Sequence, residues 1–179
     1  MTAGSDLFLA LTPDKVLDAV EVGGLRATGR AQPLNSYENR VYDVEMEDGS
    51  HRVLKFYRPG RWSEAAIRAE HLFLRQLVDD GLPVAAAEPL HPGDAESTLG
   101  EVAGIRYASF PKVRGRLLLH DELSDEDLRR LGRLLGRLHN VGAAEAAPET
   151  TIDRPRLLPG PYALDAVEEL CRRFVPLEL

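Results

Sequence analysis

One lysine stands among apolar neighbours in "HRVLKFY", residues 51–57. Val53, Leu54, Phe56 and Tyr57 give the segment the character of a β-strand. An unpaired ammonium group buried there would cost several kcal/mol or more, so Lys55 either points to solvent or serves a purpose. A second misplaced charge follows in "SEAAIRAEHLFLRQLVDDGLP". Ile67, Leu74 and Leu77, with Phe73 beside them, form the apolar stripe of a helix. Glu70 lies three residues after Ile67 and four before Leu74, on that same stripe. A lysine in a strand and a glutamate on the next helix can pair, each relieving the desolvation of the other. The alternative is that both snorkel to water or form a merely structural bridge. A fixed cation held by a carboxylate is what phosphoryl transfer uses to grip the phosphates of ATP.

A further polar cluster precedes the lysine strand, in "PLNSYENRVYDV". Asn35, Ser36 and Asn39 are small, tolerate turn conformations, and offer amide, hydroxyl and backbone N–H donors to an anion. The glycine pattern G-x-G-x-x-G is absent, and an ordinary polar hairpin turn would use the same residues.

The elements that must position these residues are legible in outline. "LTPDKVLDAVEVGGL" reads as a short helix entered at Pro13 and left at Gly23–Gly24. Three strands follow, "ATGRAQPL", "NRVYDVEM" and "HRVLKFY", the last two joined at Asp48–Gly49 as a hairpin. The helix carrying Glu70 is capped by Ser63 and ends at Gly81 and Pro83. "PVAAAEPL" and "GIRYASF" read as two more strands, separated by a polar loop and a weaker extended segment. "LSDEDLRRLGRLLGRLHNVG" is a second long helix. Ser124 and Asp127 start it, Leu128, Leu131, Leu135 and Leu138 form its stripe, and Gly132 and Gly136 allow another backbone to come close. Beyond Gly142 come Pro148, Pro155, Pro159 and Pro161, then a last helix over 163–174. The fold class is α+β: a five-stranded antiparallel sheet with one inserted helix, then helices.

Bulk properties narrow the functions. The 179 residues carry 22 basic and 29 acidic side chains, a net charge of −7, which argues against a protein built to hold nucleic acid. The single cysteine, Cys171, rules out an internal disulfide framework and suits a reducing cytoplasm. The N-terminal "MTAGSDLFLALTPDK" has no basic stretch and too short an apolar run for a signal peptide or membrane span.

Five segments, "PLNSYENRVY", "LKFYRPGRW", "EHLF", "GLPVAA" and "LGRLLGRLH", resemble the bacterial stress response kinase A family. That family belongs to the aminoglycoside-phosphotransferase-like branch of the protein-kinase fold. The resemblance runs from about Leu11 to about His139 and is weaker beyond. It implies an ATP- and Mg-dependent serine/threonine kinase connected with stress. By position it places Ser36 at the ATP phosphates in a glycine-poor cover loop, Lys55 on the phosphates and Glu70 behind Lys55. "SFPKVRG", with Phe110 and Lys112, becomes the hinge that meets adenine. Residues 1–110 would be an N-terminal lobe, 111–117 the linker and 118–179 an incomplete helical lobe. His139 would be a packing residue.

The sequence departs from the family in one large respect. No H-G-D…N segment and no later metal-binding aspartate follow; "HD" at His120–Asp121 precedes the helix and is not assigned catalysis. The general base and metal ligands are therefore expected outside this chain, which alone should be catalytically incomplete. Two other readings stand beside the protein kinase. One is a small-molecule phosphotransferase of the same fold, acting on an aminoglycoside, choline or homoserine. The other is a non-catalytic remnant or partner-binding module, prone to self-association through an exposed Leu128–Leu131–Leu135 surface.

Overall fold

A computed structural model describes residues 7–9, 11–91, 93–115 and 123–144. The expected last helix, Cys171 and the His120–Asp121 pair lie outside the described residues.

Helix α1 spans Pro13–Val22, with the Thr12 hydroxyl accepting from the Lys15 amide at its start. Strand β1 (Ala27–Leu34), β2 (Arg40–Met46) and β3 (His51–Phe56) form an antiparallel meander. The β2–β3 turn is the expected one. Gly49 adopts φ +80°, and the Asp48 carboxylate accepts from the Ser50 amide at 2.8 Å. Helix α2 spans Glu64–Asp79 and begins where the Ser63 hydroxyl accepts from the Ala66 amide at 3.1 Å. Strands β4 (Gly100–Val102) and β5 (Ile105–Pro111) complete the sheet in the order β1-β2-β3-β5-β4. Helix α3 covers Asp125–Ala144.

Two departures from expectation have physical causes. "PVAAAEPL" is not a strand; it makes a single bridge, Glu88 to Ser109. On one side of that bridge Pro111 has no N–H to donate; on the other Tyr107 already pairs with Gly100. The fourth strand is instead the weaker segment at Gly100. A Cβ at that position would lie 2.7 Å from the Tyr107 ring, so only glycine lets the strand close on its partner.

The second departure concerns α3. It packs on α2 through Leu134, Leu138 and Val141, which meet Phe73, Leu74, Leu77 and Leu82. Leu128, Leu131 and Leu135 are about half exposed, as the partner-binding reading expected. Gly132 and Gly136 have open space where a side chain would be, so they mediate no close approach among the described residues. His139 is exposed and not a packing residue, because it points away from the Leu134–Leu138–Val141 face.

The sheet has a core on each side. Val16, Ala19 and Val20 of α1 cover Val44, Leu54, Phe56 and Tyr107. Tyr107 also donates its hydroxyl to the Ala19 carbonyl at 2.7 Å. The opposite face carries Tyr57, Ile67 and Ala108, with Trp62, Leu99 and Phe110 packed around them. Period-two alternation separates the two: Leu54 and Phe56 face α1, while Val53 and Lys55 face α2.

Candidate functional site

Lys55 projects from the middle of β3, between Val41 of β2 and Ala108 of β5. Its Nζ donates to Glu70 Oε1 on α2 at 3.2 Å. The two side chains are 24% and 22% exposed, so neither snorkels free and neither is sealed away. Two rings complete the setting: Nζ lies 4.7 Å from the Tyr57 ring centroid and 5.9 Å from that of Phe110. The next pair of cross-strand neighbours on this face is Asp43 with Val53, then Val53 with Phe110. A fixed ammonium group beside half-buried Val41, Val53 and Phe110 offers a cation for an anionic group and an apolar wall for a flat ring.

The segment after β3 ties down the loop between β1 and β2. Asn39 Oδ1 accepts from the Arg58 amide at 3.3 Å, Glu38 pairs with Arg61, and the Ser36 hydroxyl donates to the Asn39 carbonyl. Asn35 and Ser36 are exposed, and Tyr37 is wholly so. A cavity of about 490 Å³ lies here, lined among others by Ser36, Asn39, Val41 and Arg58. It reaches Val41, the cross-strand neighbour of Lys55, though Lys55 does not line it.

Lys112 sits at the other end of the same face, where its Nζ donates to Asp43 Oδ2 at 2.5 Å. His51 Nδ1 lies 2.9 Å from the other Asp43 oxygen. Burial pushes the Asp43 carboxyl up, but the hydrogen bonds and charges of Lys112 and His51 outweigh it and hold its pKa below the usual value. The structure therefore brings Lys55, Glu70 and Phe110 together, sets Asn35, Ser36 and Asn39 in the loop between β1 and β2, and commits the Lys112 ammonium to Asp43.

Sequence reasoning gave no role to Val41, Val53, Asp43, Tyr57 or His71. Counting by twos from Lys55 would have found Val53 and Tyr57 on its face. His71 lies four residues after Ile67 and three before Leu74, a polar ring on the apolar stripe beside Glu70. It is buried, with Nε2 2.9 Å from the Tyr57 hydroxyl and Nδ1 3.0 Å from the Thr98 hydroxyl. Burial lowers its pKa to about 4 against an upward pull from the Glu70 charge, with Lys55 and Arg68 adding to the fall.

Among the described residues no cluster of three or more His, Cys, Asp or Glu side chains could hold a metal ion. Nor is any described helix long and apolar enough to cross a membrane.

Comparison with known proteins gives this geometry a setting. The family model described as "Phosphotransferase enzyme family" matches residues 30–178. Stress response kinase A of Salmonella typhi is 44% identical over 135 residues, covering 75% of this chain and 39% of that protein. The protein of the same name from Escherichia coli K12 is 42% identical over the same span. Serine/threonine protein kinase RdoA of Salmonella typhimurium is 43% identical. The chain thus spans 39% of the length of these curated relatives. Among solved structures, amicoumacin kinase hAmiN in complex with AMP-PNP, Ca²⁺ and Ami superposes with a TM-score of 0.62. That match covers 98% of this chain and 57% of the other at 20% identity, and so speaks for the fold. The sheet and α2 are the N-terminal lobe of a kinase-like fold. With a family model running through most of its residues, the chain belongs to the phosphotransferase enzyme family.

Proposed function

We propose that this chain forms the nucleotide-binding part of an ATP- and Mg²⁺-dependent serine/threonine protein kinase of the stress response type, working in the cytoplasm. The observation that carries the reading is the Lys55–Glu70 pair at 3.2 Å on a sheet face walled by apolar side chains. ATP would supply the phosphoryl group. Lys55 supplies a cation for its phosphates, and Glu70 fixes that cation so little reorganisation is needed on binding. Val41, Val53 and Phe110 supply surface for the base. Asn35, Ser36 and Asn39 would offer amide and backbone donors to the phosphates.

Among the described residues no side-chain cluster fits a protein-held Mg²⁺. Nor does the sequence contain an H-G-D…N segment to supply a general base. These 179 residues alone therefore bind nucleotide weakly and transfer no phosphoryl group. The name of the amicoumacin kinase keeps a small-molecule acceptor in view. Identity of 43–44% to relatives named as stress response or protein kinases favours a protein acceptor.

Calorimetric titration with ATP and with adenosine tests the reading. Removing one charged partner of a phosphate costs roughly 1.5–3 kcal/mol, about 10- to 100-fold in affinity. Lys55→Met should weaken ATP by that factor and leave adenosine unchanged. Equal ATP affinity in the two proteins would overturn the reading. Label transfer from ATP above the Lys55→Met background would overturn the predicted inactivity.

A further inference from the structure

Lys55 is held by more than Glu70. Its ammonium group also sits over the Tyr57 ring, with the Phe110 ring on another side. Both rings lead to one residue. Tyr57 meets His71 Nε2 through its hydroxyl, and Phe110 meets the His71 ring edge-on with centroids 6.0 Å apart. His71 follows Glu70 directly on α2 and is tied on its far side to Thr98, which lies in the segment leading to β4. His71, Tyr57 and Thr98 are only 4%, 3% and 6% exposed, so water does not compete for these contacts.

We propose that His71 is a positioning residue that sets the place of the Lys55 ammonium group, acting through Tyr57, Phe110 and the adjoining Glu70. The chemistry explains why the residue is a histidine. Two buried hydroxyls face it from opposite sides, and a neutral imidazole can donate at one nitrogen while accepting at the other. The phenol is the stronger acid of the two hydroxyls, so we assign Tyr57 as donor to Nε2 and Nδ1–H as donor to Thr98. An apolar residue would leave both hydroxyls without this partner and let Tyr57 turn away from Lys55. Burial keeps the ring neutral near pH 7, as this arrangement requires.

The consequence for phosphate binding rests on the proposed function; the placement of Lys55 does not. The chain makes the test direct, because it has only three lysines, Lys15, Lys55 and Lys112. NMR of the full chain with ¹³Cε-labelled lysine gives three resonances, assigned with Lys15→Arg and Lys112→Arg. The Lys55 signal should be displaced upfield by the Tyr57 ring. His71→Leu should move it toward the Lys15 position, and His71→Gln, which keeps a donor and an acceptor, should restore at least half of the displacement. Should His71→Leu lose its dispersed amide spectrum, Tyr57→Phe decides, since it keeps the ring and removes only the hydroxyl. It should reduce the displacement by half or more. A Lys55 signal that stays in place in a folded His71→Leu or Tyr57→Phe protein would overturn the proposal. Adding Mg·ATP to the wild-type chain separates the two claims. A Lys55 signal that ignores nucleotide while still responding to His71 would sink the nucleotide reading and leave the positioning role standing.

Discussion

Two side chains on the Lys55 face titrate in ways that make acid the chain's weak direction. His71 has a native pKa of about 4 against an ordinary 6.5, because burial opposes its charge. Between those values the unfolded chain binds the proton that the native chain refuses. Stability contributed by His71 is therefore complete above about 6.5 and is lost as pH falls toward 4. The loss is on the order of 3 kcal/mol. Urea midpoints at pH 7 and pH 4.5 check this, and His71→Gln should flatten the difference between them. Asp43 acts in a lower window. Its pKa is held below 3.8, so its contribution is present above that value and is lost as pH drops beneath it. Lys55 and Glu70 were legible in the sequence because each charge breaks the periodicity of its own element. Asp43 and Lys112 were not legible as a pair. They stand 69 residues apart, and only the register through Val53 and Phe110 brings their ends of the sheet together.

At the scale of elements, α2 decides whether the site exists, since it carries both Glu70 and His71. Its start depends on the Ser63 cap, and Ser63→Ala should cost about 1 kcal/mol. Its far end is braced by α3. Arg137 donates to the Asp80 carbonyl at 2.8 Å and the Gly81 carbonyl at 3.3 Å, and Leu77 is buried against Val141 and Leu82. Leu77→Ala should cost roughly 3 kcal/mol through lost burial and a residual cavity, read as a lowered thermal midpoint. Caps, glycines and apolar stripes made this helix readable in advance. The segment from Pro83 to Leu90 was misread because strand propensity is silent about which edge is free. Pro111 and Gly100 settle that, and both lie outside the segment.

The molecule as a whole presents a divided surface. α3 spends Leu134, Leu138 and Val141 on α2 and leaves Leu128, Leu131 and Leu135 about half exposed. A row of leucines in water favours association. Sedimentation of the 179-residue chain should show a concentration-dependent increase in mass, and changing the three leucines to glutamine should abolish it. A wild-type chain that sediments as a monomer at every concentration would contradict this. The stripe itself was visible in the sequence. So was the exposure of Leu128, Leu131 and Leu135; the docking of Leu134 and Val141 was not, because two overlapping apolar rows compete on α3 and the position of α2 chooses between them.

In the proposed function, Lys55 and Glu70 act as one unit that seats a nucleotide's phosphates. A double-mutant cycle on ATP affinity with Lys55→Met and Glu70→Gln tests it most directly. Each single change should weaken ATP about 10-fold or more, and the double change should be little worse than Lys55→Met alone. Fully additive losses, or a Glu70→Gln protein that binds ATP as tightly as wild type, would contradict it.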